Sequence, residues 1–280
     1  MKIAVLLTTF NRKQKTLECL QTLRSQDLPA GCAMDVFLTD DASSDGTADA
    51  VKALYPETHL YNGDGHFYWA GGMRYTWNKA IPTNPDYYLL LNDDTTLFAG
   101  AVKKIIQLAG SQPKPTVIIG NTADQASGKL SYGGWRLLRK RFWKSERVYD
   151  EKQMADCDFA NANILLVPRE VVNRLGILAD HFTHSLADYD YTYKVKKAGF
   201  GLKSAPGIIG YCTDDHGNNW KSQGSSTLKE RINYLMSVKG IAYREHMLFI
   251  RDHFPLSYPS EFLKLWMKTF FPIVWDRLKH

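Results

Sequence analysis

Acidic residues gather where short apolar runs end, and the chemistry of this 280-residue chain is concentrated there. Residues 91–95 read LNDDT directly after the apolar run Tyr87–Leu91, which sets Asp93 and Asp94 side by side at the end of a buried strand. Carboxylate oxygens in that place suit a hard divalent ion such as Mg²⁺ or Mn²⁺, which in turn neutralises a diphosphate. The same residues also read as a turn, with 93–96 opening a helix over 97–108. In DDASSDGT, residues 40–47, Asp40 and Asp41 end a second apolar run. A carboxylate there accepts a base N–H or a ribose hydroxyl, while Ser44, Asp45 and Thr47 suit turn and cap chemistry. In LADYDYTYKVKKAGF, residues 186–200, Asp188 and Asp190 stand at a helix N-terminus, where the dipole favours the ionised form. A carboxylate held there serves either as general base toward a substrate hydroxyl or as a helix cap. His216, in CTDDHGN, follows an apolar run and precedes Gly217, and is either a ligand or a plain structural histidine.

Such groups need a scaffold, and the first 120 residues supply one by alternating strand-like and helix-like segments. Apolar runs at 2–7, 35–39, 59–61, 87–91 and 116–119 predict strands. Helices are predicted where Leu17, Leu20 and Leu23 recur, and over 48–54, 71–79 and 101–108. This alternation predicts βαβ units and a mainly parallel sheet covered by helices on both faces. In such sheets ligands bind beyond the carboxyl ends of the strands. The polar segments 8–12, 40–45 and 92–95 all fall at that edge. Later segments predict strands at 163–168 and 208–212, a helix at 188–198, and helices from Leu228 onward.

Composition narrows the class. Hydrophobic residues make up 44% and charged residues 23%, as in ordinary globular proteins. Cys19, Cys32, Cys157 and Cys212 form no CxxC pair, which predicts reduced thiols and a cytoplasmic setting. The start, MKIAVLLTTFNR, reads as a first strand rather than a signal peptide, and no apolar stretch approaches the roughly 20 residues of a membrane span. The 35 Lys and Arg against 29 Asp and Glu give +6, a balance that suggests anionic partners.

The motifs TTFNR, DDASSDGT, LNDDT and ADYDYTYKVKKAGF, in this order and spacing, resemble glycosyltransferase family 2, the inverting enzymes of the GT-A fold, over roughly 2–220. The resemblance implies an α/β, Rossmann-like mixed sheet. It places Thr8, Thr9, Asn11, Arg12 and Asp41, with Asp40 adjacent, on the nucleotide of a dTDP- or UDP-sugar. The family's metal motif falls on Asn92–Asp93–Asp94; with Asn at its first position, Mn²⁺ or Mg²⁺ ligation rests on Asp94, and Asp93 faces the donor. The base position is Asp188, although Ala187 replaces the family's Glu. His216 matches a third metal ligand by order. Residues 63–80 and 131–135 look like a bacterial subgroup of rhamnosyl- and galactofuranosyltransferases. There Arg74 is the cation for the diphosphate, and Trp69, Gly71 and Gly72 shape the sugar pocket. Asn161, Asn163 and Asp190 fall on the acceptor side.

The expected organisation is a catalytic domain over 1–225 and a helical extension over 226–280. Six of the twelve residues 136–147 are Lys or Arg, interleaved with Leu137, Leu138, Phe142 and Trp143. They read as a solvated hairpin or as a flap facing an anionic acceptor, such as a polyprenyl-diphosphate-linked glycan. The tail sets Phe262, Leu263, Trp266, Met267, Phe270 and Phe271 on one stripe beside Lys264 and Lys268. Such a helix lies in an anionic membrane interface at the inner leaflet, or packs on the catalytic domain or a second subunit. Two other classes compete with an enzyme: a non-catalytic sugar-nucleotide binder and a basic nucleic-acid-binding module. The second leaves the acidic clusters unexplained, so nucleic acid is not an expected partner.

Overall fold

The computed structural model describes residues 1–213 and 226–278, which cluster into two compact units. The first unit comprises 1–136, 147–183 and 187–213. Its first half alternates β1 (Lys2–Thr9), α1 (Lys13–Arg24), β2 (Ala33–Asp40), α2 (Thr47–Leu54), β3 (His59–Asn62), α3 (Tyr68–Ala80) and β4 (Tyr87–Leu91). Then come β5 (Thr96–Leu97), α4 (Ala101–Gly110), β6 (Thr116–Ala123), β7 (Leu130–Tyr132), β8 (Gly134–Leu137) and β9 (Ser145–Val148). The series closes with β10 (Ala155–Asp156), β11 (Phe159–Ala160), β12 (Ile164–Pro168), α5 (Arg169–Leu175), α6 (Ala187–Lys197) and β13 (Gly201–Tyr211).

The main sheet runs β10-β13-β6-β12-β4-β1-β2-β3, with β5 on β13 and β7 on β6. Strand β1 pairs in parallel with β2 and β4, and β2 with β3, as the alternation predicts. β12 breaks the pattern by running antiparallel between β4 and β6. The α/β class, the mainly parallel sheet and helices on both faces are therefore present. Side chains alternate between the two faces of the sheet with a period of two, and β1, β4, β6 and β12 are buried on both faces. Ile3, Val5 and Leu7 join α1, α2 and α4 in one cluster through Leu20, Leu23, Val51, Val102 and Ile105. The opposite face meets α3, whose Thr76 hydroxyl donates to the Leu7 carbonyl at 3.0 Å. On the same helix Trp77 packs its ring 5.7 Å from Tyr88 and 5.4 Å from Tyr191. A separate small sheet runs β11-β8-β9.

The second unit contains 137–146, 184–186 and, among the described residues, 226–278. Its helices are α7 (Leu228–Met236), α8 (Tyr243–His253), α9 (Tyr258–Phe270) and α10 (Pro272–Leu278). Helix α7 opens on a capping box, with Thr227 and Glu230 each bonding the other's backbone N–H. Pro272 ends the tail stripe as a single helix, since a proline cannot continue the backbone ladder. Among the described residues no helix is long and apolar enough to cross a membrane.

Candidate active site

Parallel pairing brings the strand ends of the first unit to one edge. Thr9 sits opposite Asp40, and Asp40 opposite Asn62. The loop after β1 is tied to the loop after β2: the Asn11 N–H donates to Ser43 Oγ, and the Ser44 N–H to Asn11 Oδ1, both at 2.8 Å. Asp45 accepts from the Thr47 hydroxyl and from the Lys13 N–H at 2.9 Å, and these two bonds, the Thr47 one foremost, hold its carboxyl below the ordinary range. Asn11, Ala42 and Tyr68 all adopt positive φ at this edge, 52°, 60° and 52°. For non-glycine residues that conformation costs roughly 1–2 kcal/mol each, so the loops are held there by their contacts.

Asp40 and Asp41, both buried, have different fates. Asp41 accepts from the N–H groups of Gly65 and Phe67 at 2.9 Å and of Tyr68 at 3.3 Å, at the start of α3. A side chain on Gly63 would come within 2.4 Å of Asp41 Oδ1, so glycine is needed for this approach. Asp40 uses Oδ1 on the Ser43 N–H at 2.8 Å, while its buried Oδ2 has no hydrogen-bond partner among the described residues. A buried oxygen without a donor is costly unless a ligand provides one.

Asp93 and Asp94 lie beyond β4. The alternative of a helix opening at 93–96 is excluded: Thr96–Leu97 is strand β5, paired to β13, and α4 begins only at Ala101. Arg12 bridges the two carboxylates, with Nη1 at 2.6 Å from Asp94 and 3.4 Å from Asp93. Burial, and then the charge of Asp94, push Asp93 up to about 6 against the opposing pull of Arg12. Asp94 Oδ1 also accepts from the Cys212 thiol at 3.3 Å, and burial raises that thiol to about 12, so it is a neutral donor. Among the described residues no three His, Cys, Asp or Glu side chains are arranged to hold a metal ion. Two adjacent carboxylates do match a hard ion completed by water and phosphate oxygens, the usual arrangement for Mg²⁺. His216 lies outside the described residues.

Asp188, in the first turn of α6, accepts from the Ala162 N–H at 3.2 Å and the Tyr189 N–H at 2.9 Å. Burial dominates over these bonds and raises its carboxyl to about 6. The segment 161–163 links the two acidic sites. The Asn163 carbonyl accepts from the Asn92 N–H at 3.1 Å, and its side-chain amide contacts the Cys212 sulfur at 3.3 Å. Asn161 accepts from Trp135 Nε1 at 3.1 Å and donates to the Tyr189 hydroxyl at 3.2 Å. Asp190 is buried and paired with Lys194 at 2.7 Å.

Other expected residues hold the scaffold. The Trp69 indole donates to Asn92 Oδ1 at 2.9 Å, which fixes the position where Asn stands for Asp. Arg74 donates to the carbonyls of Ala179 and Phe182 at 2.8 and 2.7 Å, so its guanidinium fastens that loop. A methyl on Gly72 would lie 2.0 Å from Thr8 Oγ1, and one on Gly71 would lie 3.3 Å from Phe67 Cβ. Both glycines thus serve close packing. Thr9 shares a hydrogen bond with Thr16 at 2.9 Å, and Thr16 reaches toward Asp93 at 3.5 Å. Sequence reasoning misses Thr16, Cys212, Tyr189 and Arg147. The Arg147 guanidinium lies 4.6 Å from the Trp135 ring centre beside Asn161 and Tyr189. Only the aromatic content of 131–135 and 189–193 signals that second group.

Residues 4–165 match the glycosyl transferase family 2 profile, more than half the chain. The chain is a member of glycosyl transferase family 2. Solved structures agree on the GT-A fold of this family 2 member. One is S. aureus TarS in complex with UDP, 15% identical with a TM-score of 0.60, covering 95% of this chain and 75% of TarS. A TarS complex with UDP-GlcNAc is 14% identical with a TM-score of 0.60, covering 96% and 79%. The mannosyltransferase PcManGT from Pyrobaculum calidifontis, in complex with GDP-Man and Mn²⁺, is 16% identical with a TM-score of 0.53. That match covers 82% of this chain and 59% of PcManGT, so the family 2 chain spans about three fifths of the latter's length. No curated protein sequence matches the chain significantly.

Proposed function

We propose that the protein is an inverting, divalent-metal-dependent glycosyltransferase that moves a sugar from a nucleoside diphosphate to a hydroxyl of a glycan or lipid-linked glycan. The observation that supports this most is the segment 161–163, flanked on one side by the Asp93–Asp94 pair and on the other by the buried carboxyl of Asp188. An anion-handling site and a proton-accepting site a few residues apart are what displacement at an anomeric carbon needs.

In this reading Asp40 Oδ2 accepts an N–H of the base or a ribose hydroxyl, and Asp41 builds the loop that shapes that pocket. Asn11 and Arg12 line the donor side with Thr8 and Thr9, and Arg12 is the cation that faces the diphosphate. Asp94, with Asp93 beside it, would hold Mn²⁺ or Mg²⁺. When bound, such an ion offsets the charge of the departing diphosphate. Asp188 takes the proton of the acceptor hydroxyl as that oxygen attacks from the face opposite the leaving group, giving inversion. A carboxyl titrating at about 6 is ionised at neutral pH yet more basic than an exposed aspartate. Asn161 and Tyr189 orient the acceptor there. The motifs at 63–80 and 131–135 favour a rhamnose or galactofuranose donor carried on dTDP or UDP.

The test is incubation with a panel of nucleotide sugars, Mn²⁺ and glycan acceptors, followed by the anomeric signals of the product. Acceptor-dependent release of nucleoside diphosphate with inverted configuration is expected. A retained configuration, or binding of a donor that is never turned over with any acceptor, rejects the proposal.

A further inference from the structure

Helix α9 faces the wrong way for a helix surrounded by water. A surface helix buries its apolar stripe and shows its polar side. In α9 the buried positions are Glu261, Leu265 and Thr269, spaced by four. Glu261 is held by Lys264 at 3.0 Å and His246 at 3.5 Å, and the Thr269 carbonyl accepts from Arg231 Nε at 2.7 Å. The contacts with His246 and Arg231 fix the helix against α8 and α7, with Leu265 joining Leu235 and Met247. Trp266 packs on this cluster and donates to the Tyr243 hydroxyl at 3.2 Å, while the flanking apolar residues are left outside. Phe262, Leu263, Phe270 and Phe271 are 42, 61, 46 and 55% exposed, and Ile273 and Val274 of α10 continue the face at 58 and 47%. An apolar face of this extent marks a contact surface.

Its charge says what it contacts. The hairpin tip 137–146 belongs to the same unit, anchored by the Trp143 N–H on Ser257 Oγ at 2.8 Å and by the Trp143 ring 5.1 Å from Phe249. That tip exposes Leu138 and Phe142 among Arg139, Lys140, Arg141 and Lys144. Segments 137–146 and 226–280 together carry thirteen Lys and Arg against six Asp and Glu, a surplus of seven, whereas the whole chain has a surplus of six. All of the excess positive charge therefore lies in the unit that exposes the apolar face.

We infer that this unit docks on an anionic lipid bilayer. The apolar side of α9 and α10 enters the headgroup boundary, and the cations of the hairpin tip meet lipid phosphates. Neutral lipid would use only the apolar part, and a second copy of this chain would oppose one surplus of positive charge to another.

The experiment is co-sedimentation of the full chain with vesicles of phosphatidylcholine alone or mixed equally with phosphatidylglycerol. Binding to the anionic vesicles at least tenfold tighter than to the neutral ones is expected, weakening as salt rises. The variant combining Leu263→Ser, Phe270→Ser and Phe271→Ser changes only exposed positions and should lose at least tenfold. Arg139→Ser, Lys140→Ser and Arg141→Ser should each lose about fivefold. Melting temperature and nucleoside-diphosphate binding report the intact fold in every variant. A wild-type chain that stays in the supernatant with anionic vesicles overturns the inference, as does unchanged binding by the apolar variant. A wild-type dimer that the same variant converts to monomer assigns the face to a second copy and also overturns it.

Discussion

Replacing Asp188 by Asn should separate activity from stability in opposite directions. The Asp188 carboxyl titrates at about 6 in the fold against an ordinary 3.8. At about 1.4 kcal/mol per pH unit, holding it ionised takes about 3 kcal/mol from the folded state. Asn carries no charge but keeps only one acceptor oxygen, so one of the bonds from Ala162 and Tyr189 is lost, about 1 kcal/mol. The net is a variant more stable by about 2 kcal/mol at about pH 8, equivalent to roughly 4 °C in melting temperature. The sign reverses with acid. A carboxyl whose folded pKa is raised penalises the fold above that pKa; the penalty shrinks as pH falls through about 6 and is gone below the ordinary 3.8. Scanning calorimetry of both proteins across that range should therefore show the curves converging and crossing. Transfer by the variant should fall by about 10²–10⁴-fold while nucleotide affinity is kept. Wild-type turnover in Asp188→Asn refutes the role of base. A loss of stability that is equal at high and low pH refutes the account of burial.

Wild-type kcat/KM should rise with pH through about 6 as Asp188 ionises, and a flat profile across that range would place the base elsewhere. Asp40→Asn should weaken binding of the best of UDP, dTDP and GDP at least tenfold by calorimetry with little change in melting. Asp41→Ala should do the reverse, losing about 2–4 kcal/mol of stability with its three backbone donors. Gly72→Ala should lower stability by about 1–3 kcal/mol, because its methyl meets Thr8 Oγ1 at 2.0 Å and α3 must move off β1. Chelation should abolish transfer and leave melting of the nucleotide-free protein nearly unchanged, since Arg12 already bridges Asp93 and Asp94; a large drop in melting would contradict this.

Much of the fold is legible because its signals are local. Apolar runs such as 2–7 and 87–91 become strands buried beyond their first residue, and their parallel pairing carries the polar ends to one edge. What is not legible is set by direction and register. Asp40 and Asp41 are neighbours of the same type, yet successive side chains leave a strand end on opposite sides, so only the pairing shows which one the α3 loop consumes. Gly71 and Gly72 suggest a pocket in sequence, but the close approach of α3 to Thr8 is visible only in three dimensions. The stripe in α9 is clear from spacing, whereas its outward orientation depends on Glu261 meeting His246 of α8 and on the Thr269 carbonyl meeting Arg231 of α7. Thr16 carries no motif, while Cys212 and Arg147 stand in segments that drew attention for other residues, CTDDHGN for His216 and 136–147 for its basic run.

The reversal of β12 divides the edge of the sheet into two kinds of construction. The residues proposed for the donor side at 8–12, 40–41 and 93–94 stand at or beyond the ends of the parallel strands β1, β2 and β4. Asn161 and Asn163 instead come before β12, at the far end of the long excursion that leaves β6 and passes through the small sheet. The groups proposed for the donor and for the acceptor therefore come from different segments of the chain. On the proposed function, exchanging the stretch between β6 and β12 should alter acceptor choice while Asp188 and Tyr189 of α6 and the strand ends proposed for the nucleotide stay as they are.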